Sequence, residues 1–143
     1  AMGDKPKEFL DGLITVDPKN KKIIFQNGCF LRYPELRWDD DLRGYVYQTQ
    51  KKGKYFWKKI YGGLLVENII QALARHSVAE QIRQIGKEFP LVLFVHDECV
   101  YLARENEADE ALKFGLQIFK TNPFSWITIP LGAEGGHDVC YSK

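Results

Sequence analysis

At 143 residues the chain has room for one compact domain with a real core. A composition of 45% hydrophobic, 27% charged and 13% aromatic residues excludes disordered and fibrous classes. The net charge of +1 conceals a segregation: residues 1–61 carry 13 Lys/Arg against 8 Asp/Glu, and residues 62–143 carry 7 against 11. No apolar run approaches the roughly 20 residues of a membrane span, and the opening AMGDKPKEFL has no apolar signal core, so an intracellular protein with no membrane partner is expected. Three cysteines, Cys29, Cys99 and Cys140, are widely spaced and include no CxxC pair, which argues for reduced, structural thiols.

Residues 1–8 are polar and read as a tail, and 9–143 as a single domain, with a β-rich part at 9–61 and a helix, hairpin, helix and closing strand over 62–143. In the first part short apolar runs alternate with turn chemistry. Leu13–Val16 precedes Asp17-Pro18-Lys19-Asn20, and Lys22–Phe25 precedes Gln26-Asn27-Gly28. That pattern predicts a β-meander. Further strands are expected over Cys29–Tyr33, Gly44–Gln48 and Tyr55–Trp57, the last after a Lys51-Lys52-Gly53-Lys54 turn. Gly62-Gly63 breaks the strand pattern. From Leu64 to Lys87 the apolar residues Leu65, Val66, Ile69, Ile70, Leu73, Val78, Ile82 and Ile85 recur at helical spacing. Leu91–Val95 and Cys99–Ala103 flank His96-Asp97-Glu98, which predicts a tight hairpin. Asn106 is a candidate cap for a second helix ended by Asn122-Pro123, and Trp126–Tyr141 reads as a loop and closing strand. The fold class expected is α+β: an antiparallel sheet with helices packed on one face, plus the N-terminal meander.

Chemistry concentrates at His96-Asp97-Glu98. A strand ending in adjacent carboxylates presents them at a sheet tip, where they can hold a hard cation. Mg²⁺ takes one or two carboxylates plus substrate phosphates, and two such ions can stabilise both the attacking and the leaving oxygen of a phosphoryl transfer. Asp97 is the stronger ligand candidate, because Glu98 points to the opposite face. From the tripeptide alone, solvated turn residues are the better explanation.

Neighbouring blocks add context. The stretch Tyr61-Gly62-Gly63-Leu64-Leu65-Val66-Glu67-Asn68-Ile69-Ile70-Gln71-Ala72-Leu73-Ala74-Arg75, then Leu93-Phe94-Val95-His96-Asp97-Glu98, then Pro130-Leu131-Gly132-Ala133-Glu134-Gly135-Gly136, resembles in order and spacing the C-terminal palm of phage-type family A (DNA polymerase I-like) DNA polymerases. The segment from Cys29 to Trp38 is similar to a strand-rich insertion of phage members, so coverage is about residues 12–143. Leu64 and His76 depart from the lysine and aspartate usual there. The resemblance implies a palm segment in which Asp97 and Glu98, in motif C, bind Mg²⁺ or Mn²⁺ within the complete active site, and His96 faces the primer terminus. It also implies that Gln71 touches the minor groove of a DNA primer-template. Glu67, Gln71 and Arg75 fall at i, i+4 and i+8, which makes either a DNA-facing stripe or an ordinary solvated helix face.

Motif A, of the form DYS-x-x-E, and the motif B helix do not occur in the sequence. The acidic run Asp39-Asp40-Asp41 continues as Leu42-Arg43-Gly44 and reads as a loop. The expected activity is therefore that of one part of a DNA-directed DNA polymerase, inactive alone. It would share dNTP and primer-template with a second fragment or subunit carrying motifs A and B, in a bacterial or phage-infected cytoplasm. The alternative is a non-catalytic nucleic-acid-binding or regulatory palm remnant. The run Lys51-Lys52-Gly53-Lys54-Tyr55-Phe56-Trp57-Lys58-Lys59 has two readings as well: a nucleic-acid contact in which Lys51, Lys52 and Lys54 meet phosphates, or a strand whose alternate residues fill the core.

Overall fold

A computed structural model describes residues 5–141. The element order is β1 (Lys7–Phe9), β2 (Ile14–Asp17), β3 (Lys22–Phe25), β4 (Phe30–Arg32), β5 (Arg37–Asp39), β6 (Gly44–Lys51), β7 (Lys54–Ile60), α1 (Gly62–Glu88), β8 (Leu91–Val95), β9 (Glu98–Tyr101) and α2 (Ala108–Lys120), with a single 3₁₀ turn at Glu105–Glu107. The fold is α+β with antiparallel strand pairing throughout. By its contacts the chain divides into two compact units, Ala1–Ile70 and Gln71–Lys143; the division falls inside α1, so no linker marks it. Among the described residues no helix is long and apolar enough to cross a membrane.

In the first unit the expected meander forms two sheets, β1-β2-β3-β4 and β5-β6-β7. Period-2 alternation places Ile14, Val16, Ile23 and Phe25 on one face of the first sheet, in the registers Ile14↔Phe25 and Val16↔Ile23, and three of these four are buried. Turn chemistry sets the connections. Asp17 accepts from the Asn20 backbone N–H at 3.0 Å and from the Asn20 side-chain amide at 2.7 Å, an arrangement that holds its carboxyl below the usual range. Gly28, with φ of 83°, closes the next turn in the left-handed region. One expectation is corrected here: Lys7 and Glu8 belong to β1, paired with Val16 and Thr15, because the ladder of β2 offers an open edge to a polar strand as readily as to an apolar one.

In the second unit the hairpin β8–β9 carries the helices on one face. The ladder pairs Val95↔Glu98, Phe94↔Cys99 and Leu93↔Val100, then shifts by one residue at Val92 so that Leu91 pairs with Tyr101. The shift brings Leu91 to the same face as Phe94, Cys99 and Tyr101. That face meets both helices. A methyl placed on Gly86 of α1 would fall 2.8 Å from Leu91 Cδ1. Tyr101 donates its hydroxyl to the Ala111 carbonyl of α2 at 2.8 Å, and Phe89 packs against Tyr101 and Phe114 with ring centroids 5.5 and 5.8 Å away. Ile82, Ile85 and Ala111 complete this core. Two further expectations are corrected. Asn106 lies within the 3₁₀ turn instead of capping α2, whose N-cap is Glu107 without a side-chain cap bond. No closing strand forms among described residues 126–141, where Pro130 and the Gly132, Gly135 and Gly136 backbone favour bends over a ladder.

Candidate functional site

The hairpin reverses in two residues, His96 and Asp97, since Val95 pairs directly with Glu98. His96 takes the left-handed conformation with φ of 53°. Leu10, Asp11, Lys21, Glu35, Arg43 and Lys52 also have positive φ, each next to a reversal, so this φ marks turn geometry and is not a catalytic signature. The turn leaves His96 and Asp97 exposed at the tip, as the sequence predicts. Glu98 begins β9, is half-buried, and accepts the Tyr141 hydroxyl at 2.6 Å. The adjacent carboxylates are therefore unlike: Asp97 stands in solvent, and Glu98 is tied by a short hydrogen bond.

Oxygen donors of this kind suit Mg²⁺ or Mn²⁺, but among the described residues no three His, Cys, Asp or Glu side chains gather as a metal-holding group. A cation here would complete its shell with water, phosphate oxygens or a carboxylate from another segment. The helix stripe is distributed along α1, with Glu67, Gln71 and Arg75 all exposed. Arg75 approaches the hairpin, its guanidinium 5.4 Å from the ring centroid of Phe94. His76 is half-buried, and burial holds its imidazole below the usual histidine range. Cys99, on the helix-facing side of β9, has its thiol pushed up by burial.

Lys51, Lys52 and Lys54 cluster at the β6–β7 turn and are exposed. The aspartate run has structural employment: Asp39, which ends β5, accepts the Leu42 N–H at 2.9 Å and Asp40 accepts the Trp38 indole N–H at 3.0 Å, so the expected turn begins at Asp40. One residue escaped the sequence reading. Gln81, with 3% of its surface exposed, sends its amide to the carbonyls of Ile118, Phe119 and Thr121 at 3.3, 3.0 and 3.0 Å, satisfying the C-terminal end of α2. Its one advance signal is a polar position between Val78 and Ile82 on the apolar stripe.

The second unit thus presents an exposed aspartate at the tip of an apolar hairpin packed against α1 and α2. Comparison with known proteins makes this more particular. Over 97 residues, 65% of this chain, the sequence is 36% identical to a protein described as "DNA polymerase" from Bacillus phage SP02. The chain is thus related to a DNA polymerase over part of its length, and the match spans 14% of that protein. No family model matches, and no solved structure matches.

Proposed function

We propose that the chain is the C-terminal palm part of a family A DNA-directed DNA polymerase, contributing the motif C carboxylates Asp97 and Glu98 to nucleotidyl transfer on a DNA primer-template. The observation that carries the reading is the two-residue turn exposing Asp97, on a chain 36% identical to a polymerase over 97 residues. In this reading Asp97 holds Mg²⁺ or Mn²⁺, and Glu98, fixed by Tyr141, stands beside it. The ion would supply Lewis-acid stabilisation to the transferring phosphoryl group and to dNTP phosphates. His96 neighbours the primer terminus, and Glu67, Gln71 and Arg75 offer a polar stripe to the duplex.

A segment carrying motifs A and B, on the same polypeptide or another, would supply the remaining carboxylate and the nucleotide grip. Strand β8 supports that part of the reading. Leu91, Val92, Leu93, Phe94 and Val95 are all apolar, yet each keeps between 38% and 59% of its surface exposed. A continuous apolar strand is the mark of burial on both faces, so β8 is suited to lie within a larger sheet.

The test is primer extension with Mg²⁺, using the chain alone and the chain mixed with a polypeptide carrying motifs A and B. Extension is expected only in the mixture, and Asp97→Ala is expected to lower its rate on the order of 10²–10³-fold, the scale of losing one electrostatic contact to the transition state. Extension by the chain alone, or by the Asp97→Ala mixture at full rate, would refute the reading. A non-catalytic nucleic-acid-binding remnant is favoured by one contact, the Tyr141–Glu98 bond, which gives Glu98 a structural occupation. Titration with Mn²⁺ separates the two: a remnant gives only weak, nonspecific binding, insensitive to Asp97→Asn.

A further inference from the structure

β7, with the sequence KYFWKKI, is a strand with no buried side: Lys54 to Lys59 are all exposed, and only Ile60 is partly covered. A strand that packs one face into a core buries alternate residues, and this one does not. The reading in which Tyr55 and Trp57 fill the core is therefore eliminated, and 67% of Tyr55 and 44% of Trp57 remain accessible. As the outer strand of β5-β6-β7, β7 leaves one edge open along its length.

The register identifies what shares a face. Gln50 pairs with Tyr55, Gln48 with Trp57, Val46 with Lys59, and Arg37 with Val46, so Tyr55 and Trp57 stand on one face with Arg37 beside them. Arg37 lies with its guanidinium 4.3 Å from the centre of the Trp57 ring. It fixes a positive charge next to an indole that is still open to solvent. Next to Tyr55, the β6–β7 turn carries Lys51, Lys52 and Lys54, and residues 51–59 contain five lysines and no carboxylate. The aspartates of this sheet lie at the β5–β6 turn, where Asp39 and Asp40 are engaged locally.

We propose that this face binds single-stranded nucleic acid, with successive bases stacking on Tyr55 and Trp57, Arg37 meeting the phosphates beside them, and the lysines of the β6–β7 turn, of which the paired Lys51 and Lys54 stand on the reverse face, holding the backbone where it passes the end of the sheet. Spacing selects a single strand. Two residues apart on a strand, the rings repeat at roughly 6.8 Å. Stacked nucleotides in a duplex repeat at about 3.4 Å per strand, so the platform matches bases drawn apart in an extended chain. Exposed aromatic rings beside positive charge are the means by which such chains are held without sequence preference. The surface lies in the first unit and involves no residue of the carboxylate hairpin; it shares with the proposed function only the chemical class of the ligand.

The experiment is fluorescence anisotropy of a labelled oligo-dT of roughly 16 nucleotides, the upper end of known site sizes, with the intact chain. Unlabelled single-stranded DNA should compete and a duplex of equal length should compete far less; an oligo-U arm tells whether RNA serves equally. Trp57→Ala and Tyr55→Ala should each weaken binding about 5- to 150-fold, while Trp57→Phe and Trp38→Phe, the latter on the opposite face, should retain most of the affinity. Neutralising Lys51, Lys52 and Lys54 to Gln together should reduce the salt-dependence slope by about two. Equal competition by duplex overturns the proposal, as do absence of binding at low salt and loss on lysine neutralisation with no effect of the two alanine variants. The competition arm uses the unmodified chain and so decides even if an alanine variant fails to fold. Asp97→Ala should leave this binding unchanged, which separates failure here from failure of the polymerase reading.

Discussion

Gln81 shows how one buried amide can govern a helix end. At the end of α2 the Ile118 carbonyl also accepts the Thr121 N–H, and the Gln81 side chain from α1 serves it together with the Phe119 and Thr121 carbonyls. Gln81→Leu preserves the volume but takes the side-chain donor from the Phe119 and Thr121 carbonyls, so a loss of about 1–3 kcal/mol in stability is expected in urea unfolding. His76 acts through protonation. Burial lowers its folded-state pKa from the ordinary 6.5, so below neutrality the unfolded chain takes up a proton more readily than the folded one. Stability should therefore fall as pH drops through about 6.5 toward the folded value, then level off; in His76→Gln that slope should be flatter. Beyond the polar position of Gln81 on the apolar stripe, neither role was visible in advance. The sequence marks Gln81 and His76 merely as polar letters on a helix, and their burial depends on what the rest of the chain lays over them.

The hairpin β8–β9 and its helix α2 meet through Tyr101 and Gly115. A methyl on Gly115 would collide with the Tyr101 hydroxyl, the group that donates to the Ala111 carbonyl. Alanine is ordinarily the better helix former by about 1 kcal/mol. Here overpacking should dominate, and Gly115→Ala is expected to destabilise by roughly 1–3 kcal/mol, measured by thermal unfolding. Adding Tyr101→Phe removes the colliding oxygen and should recover part of the loss, a coupling that a double-mutant cycle reads directly. Elements of this kind were legible where local chemistry is decisive. Helical spacing from Leu64 foretold α1, two apolar runs around His96-Asp97 foretold the hairpin, and Asp17-Pro18 and Asn27-Gly28 foretold turns. Where partners at long range decide, the reading failed: Asn106 looks like a cap but Glu107 holds that place, and Trp126–Tyr141 has strand-like letters without a strand to pair with.

At the scale of the whole molecule, the chain corresponds to a small share of its phage relative, and β8 is the strand whose composition and exposure disagree most. Under the proposed function, adding a polypeptide that carries motifs A and B should slow hydrogen exchange at the amides of Leu91–Val95, while exchange in β2 and β3 stays unchanged. Unaltered exchange in β8 would separate it from any such sheet. The candidate site was legible in its letters, since the order of Gln71, Arg75, His96, Asp97 and Glu98 carries the resemblance. Its geometry was not, because the Tyr141 bond to Glu98 spans 43 positions and the approach of Arg75 to Phe94 depends on how α1 lies against the hairpin. Nor did sequence alone decide between the two readings of residues 51–59, which required the exposure of every residue from Lys54 to Lys59.

The one-residue shift at Val92 also bears on which lesions the hairpin can survive. Side chains alternate with a period of two, so a chain that loses or gains a residue between the shift and the turn exchanges the faces of everything beyond it. Phe94 would leave the helices and Leu93 would take its place, while Asp97 would be re-aimed or drawn into a ladder position. Apolar substitutions of similar size at Leu93 or Val95 leave this alternation intact and should be better tolerated. Insertions and deletions of a single residue over 92–98 should be selected against, and paired changes, one residue on each side of the turn, should be the indels that persist.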